Sequence, residues 1–285
     1  MVTGDEMFLQ RSGILLLLAA QIVTGSEFVR KDIALDEGQL SFLLRPGETP
    51  ALILIPGSFW DSSLWDEVIP HLDHEMSLVL VEMRGHGRSW PPAKDGSIEL
   101  FATDVLRVAD ALGLNEFYVG GHSIGGMVAL EVGDRRPESV LGVVSIEGWT
   151  NHHAAQDAFE GRMTDTLTPE LRTKEKEGRE RATGRWTTEQ RKAFARIWRQ
   201  WDGSHFLQST NLPVLELYGD RGRPTPTLEQ LRIPLRRNVR VAWINNASHN
   251  LPLEQPDKVG RAIKHFIDQW ESHRVGGSGP PADGR

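Results

Sequence analysis

Residues 117–135 read FYVGGHSIGGMVALEVGDR: a strand-like run enters an apolar helix through Gly121-His122-Ser123-Ile124-Gly125. No loop separates the two elements, so the chain leaves a sheet and starts a helix in one sharp turn. A helix laid directly onto its own strand is the βα unit of a parallel sheet, which excludes all-α and all-β architectures. Other stretches repeat the pattern. Residues 51–55, 78–83, 140–146, 214–218 and 239–244 are near-continuous apolar runs, as strands buried on both faces require. Residues 29–44 read as a hairpin turning at Asp36-Glu37-Gly38. Ser97 is placed to N-cap a helix carrying Phe101, Val105, Val108 and Leu112 on one face and ending at Gly113. Pro256 opens a last helix with Val259, Ile263, Phe266 and Trp270 on one face.

Residues 151–206 break the alternation. They hold helical patterns at 170–181 and 188–201, interspersed tryptophans and no strand-like run, and are read as a helical cap over a site. The domain reading is therefore a leader at 1–28, a first core part at 29–150, the cap at 151–206, a second core part at 207–273 and a disordered tail at 274–285. Residues 13–23, GILLLLAAQIV, have the length of a signal-peptide apolar region and are too short to span a bilayer. Asp5 and Glu6 weaken the basic flank such a signal needs. Localisation is left open: cytoplasmic, or exported if residues 7–25 act as a signal peptide. No stable membrane insertion is expected, and oligomeric state is not readable. Lys and Arg number 32 against 39 Asp and Glu, a formal charge of −7, which sets nucleic acid aside as a partner. With no cysteine, thiolate metal sites and a cysteine nucleophile are excluded.

The chemistry centres on Ser123. In a G-x-S-x-G turn between strand and helix the serine backbone is strained, and glycines remove side chains that would clash. The hydroxyl is lifted above the sheet edge, at a helix N-terminus whose free N–H groups suit a developing oxyanion. Serine needs a base to act as a nucleophile. His249 follows the run VRVAWIN and precedes the last helix, where it can reach Ser123 over the C-terminal sheet edge. His86 and His122 are read as structural hydrogen-bonders, while His152 and His153 open the cap and can line a pocket. As adjacent residues these two do not share a helix face, so no metal site is expected.

Four motifs in this order resemble the α/β-hydrolase family: Ile55-Pro56-Gly57-Ser58, Met83-Arg84-Gly85-His86-Gly87-Arg88-Ser89, the Ser123 pentapeptide, and His249 before the final helix. The resemblance covers about residues 29–270 apart from the insertion. It implies an α/β fold with a doubly wound, mostly parallel sheet and a helical cap inserted after strand six. It also implies an oxyanion hole from the backbone N–H groups of Ser58 and Ile124, with Pro56 standing where the family usually has His. The family's acid often sits in a Gly-x-x-Asp turn after strand seven. That turn here reads Gly219-Asp220-Arg221-Gly222, with Gly at the usual acid position. A second branch places the acid after strand six, where Glu147 ends the run VLGVVSIEG. A carboxylate ending so apolar a run needs a polar partner. Glu147 is the preferred acid and Asp220, a turn-holder by position, the alternative.

A serine rather than an aspartate at the elbow implies acyl transfer. Phe59, Trp60, Trp149 and His152 are the candidate pocket residues, and Trp65 and Trp90 also lie near the predicted site loops. The expected function is hydrolysis of small apolar carboxylic esters through an acyl-enzyme. Acyl transfer, perhydrolysis or carbon–carbon hydrolysis on the same residues is the near alternative, and a ligand-binding receptor on the same fold the distant one. No phosphate loop, flavin motif or metal-spaced cluster is visible, so no cofactor is expected.

Overall fold

The computed structural model describes residues 27–159 and 167–276. The apolar runs become strands of one eight-stranded sheet: β1 (Val29–Leu35), β2 (Gly38–Arg45), β3 (Glu48–Ile55), β4 (Met76–Val81), β5 (Phe117–His122), β6 (Val140–Ile146), β7 (Val214–Gly219) and β8 (Val239–Ile244). Their spatial order is β1-β2-β4-β3-β5-β6-β7-β8. The first hairpin is antiparallel, with Leu35 opposite Gly38, and β2 joins β4 antiparallel; every pairing from β4 to β8 is parallel.

The period-2 geometry of a strand explains why these runs contain almost no polar residues. In β3, Ile53 and Ile55 face one layer while Leu52 and Leu54 face the other. The first layer contains α1 (Ile98–Ala111) and α2 (Ile124–Arg135). The second contains Trp65, Val68 and the apolar stripe Val259, Ile263, Phe266 and Ile267 of the C-terminal helix. Ser97 caps α1, its hydroxyl accepting from Leu100 N at 3.1 Å.

Between β6 and β7 lie α3 (His152–Phe159), α4 (Pro169–Thr183), α5 (Thr188–Phe194) and α6 (Ser204–Ser209). α7 (Leu251–Glu254) and α8 (Pro256–Gly276) follow β8. Three sequence expectations need correction. The helix read over 188–201 is broken: α5 ends at Phe194 and a separate 3₁₀ turn spans Ile197–Gln200. A single helix would send Phe194, Trp198 and Trp201 to one surface. Instead Phe194 packs on His86 and Trp186, Trp198 on Trp149 and His152, and Trp201 donates its indole N–H to Glu131 of α2 at 2.9 Å. The boundary drawn at 206 falls inside α6, whose Phe206 and Leu207 are buried in the core. α8 runs to Gly276, past the start of the expected tail, and Arg274 pairs with Glu116 at 3.2 Å. At the other end, Phe28 packs against the core. The apolar segment at 13–23 and the tail from 277 onward lie outside the described residues. Among those described, no helix is long and apolar enough to cross a membrane.

The central strand offers a direct check on this packing. Leu54 has no exposed surface, so Leu54→Ala should lower unfolding free energy by about 2–5 kcal/mol. Urea denaturation followed by tryptophan fluorescence measures it, and a change below about 1 kcal/mol would contradict a close-packed site.

Candidate active site

Ser123 joins β5 to α2 with φ 55° and ψ −123°, a backbone conformation sparsely used by non-glycine residues. Two glycines make the turn sterically possible. A Cβ on Gly121 would lie 2.1 Å from the Gly125 carbonyl oxygen, and one on Gly125 would lie 2.3 Å from that of Ile55. The Ser123 N–H donates to the Ile146 carbonyl at 2.7 Å, tying the turn to β6. Its own carbonyl accepts from Gly126 and Met127, so α2 begins at once. Ile124, the first residue of α2, has an N–H that helix geometry leaves without an i−4 acceptor.

His249 lies in the connection from β8 to α7 and is nearly buried. Its Nε2 is 3.0 Å from Ser123 Oγ, and its Nδ1 is 3.2 Å from Glu147 Oε2. Ionised Glu147 only accepts hydrogen bonds, so the proton of a neutral imidazole belongs on Nδ1 and Nε2 faces the hydroxyl as an acceptor. The His249 carbonyl accepts from Nε2 of buried His122 at 2.6 Å, which fixes the loop. Burial, with the nearby charge of His249, depresses the His122 pKa to about 3, leaving His122 a neutral tether.

Glu147 is fully buried at the end of β6 and adopts φ 53°. Gly219 N–H donates to its Oε1 at 2.8 Å. Arg221 grips it from the end of β7, with Nη1 at 3.0 Å from Oε1 and Nη2 at 2.7 Å from Oε2. The guanidinium carbon of Arg221 lies 4.0 Å from the Phe159 ring centroid. Burial by itself would raise the Glu147 pKa, but the Arg221 charge and the His249 hydrogen bond outweigh it and hold the carboxyl at about 2. Glu216, also fully buried and close enough to feel the Glu147 charge, shows the opposite outcome. Burial pushes its pKa up to about 7, while Tyr218 donates to its Oε2 at 2.9 Å. Asp220 does not take part: its Oδ1 accepts from Gly222 N at 2.8 Å and Asn246 N at 2.7 Å, holding the turn.

His86, the other histidine beside a glycine turn, buttresses the 56–60 loop. Phe59 N–H donates to its Nε2 at 3.1 Å and its Nδ1 faces the Arg84 carbonyl at 3.2 Å. Burial lowers its pKa to about 4, so the ring stays neutral and can accept.

A cavity of about 320 Å³ opens beside Ser123 and His249. Ser58, Phe59 and Trp60 line it; of the candidate pocket residues, Trp149 and His152 do not. The turn after β6, with Trp149 at φ 42°, tucks the Trp149 ring to within 4.9 Å of the His249 ring. His152 packs on Trp198 at 5.0 Å. Trp65 is a core residue, and Trp90 stacks under Arg185. Sequence reasoning missed Arg221, Arg179, Trp198 and Arg199. The last three, all from the cap segment, line the cavity. The only sequence signal for Arg221 was its place in the turn whose usual acid is missing. Among the described residues, no cluster of His, Asp or Glu could hold a metal ion.

The sheet order and the elbow define an α/β-fold hydrolase. The chain belongs to the alpha/beta hydrolase fold family, whose model matches residues 50–256. Among curated proteins it is 25% identical over 252 residues to an Agrobacterium fabrum protein with the provisional name carbamate hydrolase RutD, covering 77% of this chain and 94% of that one. It is 24% identical over 249 residues to N-formylmaleamate deformylase from Pseudomonas putida, covering 80% and 92%. Among solved structures, carboxylesterase CesB (YbfK) from Bacillus subtilis superposes with TM-score 0.64 at 23% identity, covering 85% and 92%, a likeness of fold.

The Arg221–Glu147 pair yields a pH-dependent test. Glu147 is lowered from 4.5 to about 2 in the fold, so its pairing adds stability fully present above about pH 4.5 and lost as pH falls through about 2. Arg221→Met strands a buried carboxylate, which should cost about 3–5 kcal/mol at pH 7. The cost should shrink at pH 4, where the unpaired carboxyl takes up a proton. Urea unfolding of both proteins at the two pH values measures it. An equal gap at both would show that Arg221 acts without Glu147.

Proposed function

We propose that the protein is a serine hydrolase that cleaves carboxylic esters through an acyl-enzyme, with Ser123 as nucleophile, His249 as base and Glu147 as the acid that orients it. The observation that carries this reading is the continuous chain Ser123 Oγ to His249 Nε2 at 3.0 Å and His249 Nδ1 to Glu147 Oε2 at 3.2 Å. Ser123 Oγ attacks the ester carbonyl as its proton passes to His249 Nε2. The tetrahedral oxyanion is held by the backbone N–H groups of Ser58 and Ile124, each contributing about 2.7–4 kcal/mol by comparison with similar sites. Collapse breaks the bond to the alkoxy oxygen, which leaves with the proton from His249. Water then attacks the acyl-enzyme, gives its proton to His249, and the acid departs as Ser123 recovers its hydrogen. Glu147 stays ionised throughout and stabilises the imidazolium formed in each half-reaction.

The cap at 151–206 acts as a lid in this reading, because Trp198, Arg179 and Arg199 form part of the cavity wall. The names of the two curated relatives point to a carbamate and an N-formyl group. Both are acyl carbons open to the same attack, so a substrate panel belongs to the test.

Ser123→Ala should abolish hydrolysis of 4-nitrophenyl esters and labelling by a fluorophosphonate probe, with unchanged circular dichroism. Glu147→Gln should lower kcat by as much as ~10⁴, and Asp220→Asn far less. Residual Ser123→Ala turnover within tenfold of the parent would remove Ser123 from the mechanism. A larger loss for Asp220→Asn than for Glu147→Gln would return the acid to the β7 turn.

A further inference from the structure

The chain as a whole is acidic, with a formal charge of −7, yet the residues lining the cavity beside Ser123 include two arginines and no carboxylate. Both arginines come from the cap segment, Arg179 on α4 and Arg199 in the 3₁₀ turn after α5. Other basic residues of α4 reach across to carboxylates of the core. Lys174 pairs with Glu67, and Arg181 with Asp61 at 3.0 Å. The two cavity arginines lack such partners. Arg179 has a local one, Glu175, one helical turn away at 2.8 Å. That contact occupies one Nη only. The Nε of Arg179 is covered by protein and has no hydrogen-bond partner. Arg199 is exposed, and among the described residues no carboxylate pairs with it; its guanidinium carbon lies 5.9 Å from the Trp198 ring centroid.

We propose that this cavity recognises an ester that bears a carboxylate, held by Arg179 and Arg199 while Phe59, Trp60 and Trp198 cover its apolar chain. The inference rests on the serine-hydrolase reading and narrows its substrate class, from a purely apolar ester to an anionic one. A guanidinium matches a carboxylate with two parallel N–H donors, and the partly enclosed site makes that bond stronger than in open water. The part-buried i,i+4 contact with Glu175 is a single hydrogen bond within one helix, a kind of pair that contributes little by itself, so an incoming carboxylate can compete for it. The field of Arg179 already reaches the inner end of the site, where it is among the influences that lower the pKa of His122, the residue before Ser123. Two cations at the mouth also raise the local concentration of an anionic ester, an effect that salt screens.

Two substrates of matched chain length test it: 4-nitrophenyl hydrogen adipate, which carries a free carboxylate, and neutral 4-nitrophenyl hexanoate. The parent should favour the adipate ester in kcat/KM by about tenfold or more at low salt, with the ratio falling as NaCl is raised. Arg179→Gln and Arg199→Gln should each lower that ratio, mainly through KM, and Glu175→Gln should raise it by freeing Arg179. A structural role for these residues would change both substrates together. Binding of adipate to the Ser123→Ala protein, measured by calorimetry, reads the anion site without turnover. If adipate binds there and Arg179→Gln weakens it, the anion site stands even where Ser123 takes no fluorophosphonate label and the hydrolase reading fails. If the hexanoate ester is turned over but the parent ratio is at or below one and adipate does not bind, the hydrolase reading stands and the anion site is wrong. A preference that neither arginine variant reduces would also overturn the assignment.

Discussion

The ion pair between Arg221 and Glu147 sets the state of everything above it. A fully buried carboxylate such as Glu147 is costly to ionise unless a cation and hydrogen bonds replace water. Arg221 supplies two charge-assisted bonds and Gly219 a third, so Glu147 keeps its charge and can order the His249 imidazole. The neighbouring strand shows what happens otherwise. Glu216 is buried as deeply with no arginine on it, and its carboxyl is pushed to about 7. Two buried glutamates on neighbouring strands thus shift in opposite directions because one strand-end turn delivers a guanidinium to only one of them.

The sheet was legible because its geometry imposes a strong local pattern. Strands such as β3 and β6 are apolar on both faces, and their short length and flanking turn residues separate them from buried helix segments. The elbow was legible for a similar reason: Gly121 and Gly125 sit where a Cβ would meet backbone oxygen at 2.1 and 2.3 Å. Glu147 was legible as an acid closing the apolar run of β6, and the structure brings its carboxylate to His249 while Asp220 stays in its own turn.

Side-chain partnerships across the cap were not legible. Arg179 and Arg199 sit in segments dense in Lys, Arg and Glu, where a residue facing a cavity is written no differently from one facing water. Arg221 was hidden for another reason. It lies beside the position where an acid is usual, and nothing local says that a guanidinium at the end of the neighbouring strand will fold back onto Glu147. The cap helix over 188–201 failed because three aromatic anchors, Phe194, Trp198 and Trp201, have separate docking sites, and packing overrides helical spacing.

Phe159, whose ring lies under the Arg221 guanidinium, is the last residue of α3 and so belongs to the cap. The cap therefore touches the guanidinium that holds Glu147 through one aromatic face. This limits how freely such an insertion can be exchanged in evolution or in engineering. A graft that preserves the cavity wall but lacks an aromatic ring at this point would leave Arg221 without its platform, and the transplanted cap would arrive with an unintended change at the acid beneath it. The unit to move in a graft is thus the cap together with the β7 turn, two segments that are distant in sequence and meet at this ring.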